Sequence, residues 1–161
     1  MINKGLFSSD KDNWETPELL YQYLDSLYSF DHDPCPIDHY VLLGMDIEAG
    51  ASYDSLNKPW GKSNYINPPY GRQIGKFIEK AYKESLLGKI CVLLIPARTD
   101  TKWWHDFVML AATVYLVRGR IRFKDGEHSA PFPSAIVVFD EKSNGQCLFK
   151  SFNYKEKVLG L

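Results

Sequence analysis

Asn67-Pro68-Pro69-Tyr70 follows the apolar stretch Asn64-Tyr65-Ile66, and its residue types suit methyl transfer to a planar nitrogen. An exocyclic amine on a purine, or a side-chain amide, delocalises its lone pair into the adjacent π system and is a poor nucleophile. Something must accept hydrogen bonds from its protons and hold it. The side-chain carbonyl of Asn67 and the main-chain carbonyl of Pro68 can both accept, while the two prolines fix φ and stiffen the loop. The lone pair is then aimed outward. The Tyr70 ring is suited to stack on the face of the base or amide, so the gain comes from positioning and charge stabilisation rather than covalent catalysis. An ordinary strand-to-helix turn uses the same residues, since Asn-Pro-Pro is good turn chemistry. Structural context decides between the two.

That context is α/β. Residues 63–67 have the pattern of a buried strand delivering the tetrapeptide, and Ile74, Phe77, Ile78 and Ala81 then recur at helical spacing up to a stop near Gly88. Upstream, Thr16 suits an N-cap with Pro17 at the first helical position, and Leu20, Tyr23, Leu24 and Leu27 mark a helix to about Tyr28. Residues 29–33 suit a short strand ended by Pro34 and Pro36, after which the pattern is weak as far as Lys62. An apolar strand over 89–95 is closed by Pro96, and Asp100 caps a third helix with Trp104, Phe107, Val108 and Ala111 on one face. Residues 113–117, 120–123 and 134–140 are further strands, the last two forming an antiparallel pair across a loop at 124–133. Helices between the early strands imply a Rossmann-like fold, a mostly parallel sheet with an antiparallel edge hairpin. Active residues gather at strand C-terminal ends in such a sheet, and Asp33, Asn67 and Pro96 fall there.

A chain of 161 residues with 45% apolar content fits one domain over 1–161, with 141–161 a C-terminal extension of unassigned structure. The formal net charge of -1 excludes a polycation that coats nucleic acid, so any phosphate contact must come from a local basic patch. No basic-then-apolar segment opens the chain and no apolar run approaches ~18 residues, which points to the cytosol. Cys35, Cys91 and Cys147 lack the paired spacing of zinc sites or disulfide frameworks and suit reduced structural thiols. His32, His39, His105 and His128 are scattered, so no metal is expected.

Seven segments in order carry a family resemblance across residues 12–140. They are Asn13-Trp14-Glu15-Thr16-Pro17, Phe30-Asp31-His32-Asp33-Pro34-Cys35, Asp54-Ser55-Leu56 with Trp60, residues 64–72, residues 94–104, residues 118–123, and Ala130-Pro131-Phe132-Pro133-Ser134-Ala135. In these the chain resembles the phage-type DNA N6-adenine methyltransferases, which use S-adenosylmethionine. The resemblance implies that Asp33 holds the amino group of the cofactor's methionine part, that Trp14, Thr16, Pro17 and Pro34 line the cofactor pocket, and that Asp54 lies near its adenosine. The physics agrees, because an ammonium wants a carboxylate and an adenine wants an aromatic or apolar wall. Trp14 also suits a core anchor, and Asp54 the start of a turn. Where a glycine-rich turn usually follows the first acid, this chain offers Pro34-Cys35-Pro36-Ile37, and Gly44 and Gly50 come too late for the close backbone approach that turn provides.

Arg118, Arg120 and Arg122 are spaced by two, so on a strand all three share a face opposite Gly119, Ile121 and Phe123. Three arginines running favour phosphate contact over a solvated face of mixed sign. Arg98 and Lys102 extend the patch if the 97–100 loop opens beside Asn67. Trp103 falls off the apolar face of its helix, free either to stack on a base or to pack on a second surface. In duplex DNA the target adenine must leave the helix to reach the tetrapeptide, which implies base flipping. No separate target-recognition domain is expected, so loops would have to read the sequence around it. Two alternatives remain at this level: methylation of an RNA base or a protein glutamine, and a noncatalytic DNA-binding module that has lost its cofactor.

Overall fold

A computed structural model describes residues 14–35, 46–47, 54–123, 129–143 and 145–161. Asn13, Pro36, Ile37, Gly44 and Gly50 lie outside the described residues, as does the side chain of Asp54. The chain builds a mixed α/β sheet of seven strands among the described residues: β1 His32–Asp33, β2 Asp46–Ile47, β3 Ser63–Ile66, β4 Ile90–Pro96, β5 Thr113–Arg118, β6 Ser134–Phe139 and β7 Leu148–Asn153. Their spatial order is β2-β1-β3-β4-β6-β5-β7. Helices α1 Glu18–Tyr28, α2 Ile74–Ser85 and α3 Lys102–Asp106 complete the regular elements, with short 3-10 turns at Asp54–Asn57 and Val108–Leu110 and a π turn at Lys155–Leu159.

β1 pairs in parallel with β2 and β3, β3 with β4, and β5 with β7, while β6 runs antiparallel to both β4 and β5. All strands but β6 therefore point one way. The C-terminal ends of β1, β3, β4 and β5 lie along one edge of the sheet, and the register Pro96↔Ser134 brings the start of β6 to the same edge. β4 is buried along nearly its whole length, Cys91 through Ile95 having no exposed surface, as a central strand covered on both faces must be. Phe77, Ile78 and Ala81 of α2 and Leu20 and Leu24 of α1 are sealed into the same core.

The antiparallel feature differs from the edge hairpin expected of residues 120–123 and 134–140. β5 ends at Arg118, Gly119 turns with φ +87°, and 120–123 make no strand. Every residue of β6 is buried, which demands a partner on each side, and β6 accordingly slots between β4 and β5. The edge position falls instead to β7, from the segment read as an extension without assigned structure. Two helix starts also shift. Pro17 is extended at φ −59°, ψ 133°, so α1 begins at Glu18 with no side-chain cap. Thr101, not Asp100, caps α3, its hydroxyl accepting from the Trp104 amide at 3.4 Å. Leu27 lies outside the α1 stripe at 58% exposure, and Tyr21 is buried in its place.

Candidate active site

β3 delivers the tetrapeptide at the C-terminal edge of the sheet, and α2 begins just beyond it at Ile74. Side chains alternate along a strand, so Tyr65 and Asn67 project from the same side. Both meet the segment that precedes α1. The Asn67 amide nitrogen donates to the Trp14 main-chain carbonyl and, at 3.1 Å, to Thr16 Oγ1. Thr16 Oγ1 also shares a 2.5 Å hydrogen bond with the Tyr65 hydroxyl. A carbonyl oxygen can only accept, so the end of the amide facing Trp14 is its NH2. Asn67 Oδ1 therefore points the other way. It is buried and has no hydrogen-bond partner among the described residues, a costly condition for an amide oxygen.

Tyr70 is buried, and its hydroxyl donates to the Leu94 carbonyl of β4 at 2.9 Å. Burial pushes its phenol well above the usual tyrosine range, with the Arg98 guanidinium acting in the opposite sense. The loop 97–100 thus opens near the tetrapeptide, and Arg98 itself is exposed. The Tyr70 ring meets Phe132 edge-on at a centroid distance of 5.5 Å and Phe123 at 6.2 Å. Trp14 contacts the same two rings at 5.1 and 5.5 Å. Three aromatics from three separate segments, Trp14, Phe123 and Phe132, therefore pack together beside the tetrapeptide, two of them directly on Tyr70. Trp14 is an anchor of this cluster, the packing role that its sequence left open.

Asp33 sits at the end of β1, one strand over from the tetrapeptide. Its carboxylate is buried and accepts from the Cys35 amide at 2.8 Å. Burial raises its pKa to about 7, opposed by that one backbone hydrogen bond. Among the described residues no cation pairs with it. The adjacent Cys35 thiol is pushed well above its ordinary value, first by burial and then by the Asp33 charge, so it is no nucleophile at neutral pH. The three cysteines are free. Among the described residues no cluster of three His, Cys, Asp or Glu side chains has metal-binding geometry, and no helix is long and apolar enough to cross a membrane.

The basic residues keep their common orientation although the strand does not form. Arg118, Arg120 and Arg122 are exposed while Ile121 and Phe123 are buried. Arg118 ends β5 on the same edge as Asn67, and Arg120 Nη1 donates to the Ala130 carbonyl at 3.5 Å. Lys102 is 88% exposed and pairs with Asp106 one turn on, a surface contact that is cheaply exchanged for a phosphate. Trp103 is half-buried against the start of α2, where a Cβ on Gly75 would meet its Cβ at 3.4 Å. Of the two roles open to it, the fold supplies packing. Three residues at the site escaped the reading of the sequence for single side chains: Tyr65, Phe123 and Phe132. For Tyr65 the signal was there, since position i−2 on a strand shares the face of Asn67. Phe123 and Phe132 meet Tyr70 only through the long return from β5 to β6.

Residues 4–158 match the family model described as DNA N-6-adenine-methyltransferase (Dam). The chain is also 30% identical over 153 residues to the DNA N-6-adenine-methyltransferase of Haemophilus phage HP1 (strain HP1c1), an alignment covering 89% of this chain and 87% of the relative.

The buried Asp33 makes stability depend on pH in a stated direction. Its pKa rises from an ordinary 3.8 to about 7 on folding, so between those values the folded state binds more protons than the unfolded one. Its contribution is full below the lower value and lost as pH rises through the upper one. Urea midpoints of the ligand-free protein should therefore fall between about pH 4 and pH 7 and level off above. Asp33→Asn should flatten that fall, and an equally steep fall in the variant would assign it to other groups.

Proposed function

The chain belongs to the DNA N-6-adenine-methyltransferase family, and from that premise we propose that it methylates the exocyclic amine of a flipped-out adenine in DNA, with S-adenosylmethionine as donor. The observation that carries this reading is the orphaned Asn67 Oδ1, a buried acceptor whose amide is fixed from behind. Such an atom calls for an N–H donor, and an adenine amine brings two protons. Oδ1 would accept one and the Pro68 carbonyl the other, holding the nitrogen with its lone pair turned out of the base plane. Nothing in this arrangement needs a covalent intermediate or a metal. Catalysis rests on preorganised acceptors aimed at an amine that becomes more acidic as it is methylated.

S-adenosylmethionine, when bound, supplies an electrophilic methyl group. The residues present fit it. A buried carboxylate with one backbone donor and no cation among the described residues is suited to the cofactor's ammonium, which would bring Asp33 back to its ionised form. Pro34 next to it, and Trp14 and Pro17 before α1, supply apolar walls, and Asp54 is proposed near the adenosine. The sheet supports a Rossmann-like reading, with its ligands gathered where the C-terminal strand ends meet. Residues 1–161 are read as one methyltransferase domain.

The Tyr70 ring is proposed to stack on the adenine. In the DNA-free arrangement its neighbours are Phe132 and Phe123 at contact distance, so an entering base must displace part of the 130–133 segment. The hydroxyl has a different job, tying the loop to Leu94 on β4. Arg98, Arg118, Arg120 and Arg122, with Lys102, are proposed to meet phosphates around the opening, and Trp103 to brace the loop that carries Arg98. The family favours DNA over the RNA-base and protein-glutamine alternatives. The retained Asn67 anchor and a buried Asp33 with no cation beside it among the described residues argue against a noncatalytic module.

Asn67→Ala should lower turnover of methyl incorporation into DNA by roughly 10²–10³-fold, the scale of one lost preorganised group, while cofactor affinity by calorimetry stays within about twofold. Full activity in that variant would sink the mechanism. Tyr70→Phe should keep most turnover and lose about 1 kcal/mol of stability with the Leu94 hydrogen bond, whereas Tyr70→Ala should lose both. Equal inactivity of the two would move the catalytic role from ring to hydroxyl.

Salt tests the arginines. The logarithm of DNA affinity should fall with the logarithm of salt by about 0.9 per neutralised phosphate, and each Arg→Ala change at 98, 118, 120 or 122 should flatten the slope by about one unit on every sequence. A wild-type slope in all four variants would make the stripe an ordinary solvated face. Loss confined to one sequence would make it a base reader.

A further inference from the structure

We infer that Thr16 is a positioning residue for the Asn67 amide, and that the chain Tyr65–Thr16–Asn67 sets which end of that amide faces the substrate. This rests on the proposed role of Asn67 and extends it to a side chain that the resemblance would assign to the cofactor pocket. The Thr16 hydroxyl is occupied on both sides, by Asn67 Nδ2 at 3.1 Å and by the Tyr65 hydroxyl at 2.5 Å. The residue is only 2% exposed. Its other natural employment, capping α1, is absent, since that helix has no side-chain cap.

The physical need for such a residue comes from the amide itself. Rotation about the terminal torsion of asparagine is broad and roughly two-fold, so its oxygen and nitrogen exchange places at little intrinsic cost. A flipped Asn67 would present NH2 to an amine that has only protons to offer. Two neighbours oppose the flip. The Trp14 carbonyl accepts and never donates, so it rejects Oδ1. A threonine hydroxyl alone is indifferent, because it can donate to Oδ1 as readily as accept from Nδ2. Tyr65 removes that indifference when it takes the threonine proton, leaving Thr16 Oγ1 as an acceptor directed at Asn67. Both neighbours come from the segment before α1, some fifty residues upstream of β3. The docking of that segment therefore sets the orientation of the tetrapeptide's working side chain.

The test is steady-state kinetics with S-adenosylmethionine and DNA, paired with calorimetric cofactor binding, on Thr16→Val, Thr16→Ser, Tyr65→Phe and Thr16→Val/Tyr65→Phe. Valine keeps the shape and removes the hydroxyl, and kcat should fall about five- to tenfold, the rate equivalent of one net hydrogen bond, with cofactor Kd within about twofold. Serine should restore kcat. Tyr65→Phe should lower kcat in the same direction while leaving Thr16 in place, and should cost little more once Thr16 is valine, because the two act in one chain. The inference is overturned if Thr16→Val turns over at the wild-type rate, if its loss lies in cofactor affinity with kcat unchanged, if serine fails to rescue, or if the double variant shows fully additive losses. Failure of the Asn67 reading would look different: Asn67→Ala would itself remain active.

Discussion

One amide has to be held by the wrong end for the right end to be useful. Asn67 gives both of its N–H groups to the protein, to the Trp14 carbonyl and the Thr16 hydroxyl, and keeps its oxygen buried and unmet. An unsatisfied buried acceptor costs stability, and a ligand that brings an N–H donor to it would recover that cost. The constraint reaches outward from there. Residues 14–17 must cross the C-terminal edge of the sheet before α1 begins, which is why Pro17 is extended and Thr16 is unavailable as a cap. β3 must project Tyr65 and Asn67 to the same side.

The rest of the edge is arranged around that point. β1 brings Asp33 and β4 brings Leu94, whose carbonyl fixes Tyr70. The reversed strand β6 matters because its approach carries Phe132 across the top of the sheet onto Tyr70 and Trp14. Phe123 enters from the other arm of the same connection, and its outward neighbours are the arginines. One connecting segment thus supplies the aromatic cover of the site on its inner side and positive charge on its outer side. A DNA strand on those arginines, as proposed, would lie beside the aromatic cover of the site. Asp33 is buried at the neighbouring strand end with no cation beside it among the described residues, so the proposed cofactor's ammonium would meet a carboxylate there and the proposed adenine amine an acceptor at Asn67.

Much of this was legible in the chain because it follows from local pattern. The apolar run before Asn67, the helical spacing of Ile74, Phe77, Ile78 and Ala81, and the proline closing β4 each fix an element from nearest neighbours alone. The family followed from ordered segments. What was not legible depended on tertiary competition. Residues 120–123 have strand composition, but Gly119 at positive φ turns the chain away, and the fully buried β6 needs two partners. Thr16 and Pro17 look like a helix start, yet the Thr16 hydroxyl is engaged by Asn67 and Tyr65 and Pro17 stays extended. Trp103 was off the stripe of its own helix because its surface is α2, packed where Gly75 leaves room. The C-terminal segment carries too little apolar alternation to announce an edge strand, since four of the six residues of β7 are exposed.

The measurement that bears most directly on the account is a crystal structure of the protein with a short adenine-containing duplex and an unreactive analogue of S-adenosylmethionine. The account places the adenine amine within hydrogen-bond distance of Asn67 Oδ1, about 2.7–3.2 Å, with Asn67 Nδ2 still on the Trp14 carbonyl and Thr16. An extruded adenine whose amine is held elsewhere, or an Asn67 amide that has left Trp14 and Thr16 to turn its nitrogen toward the base, would contradict it.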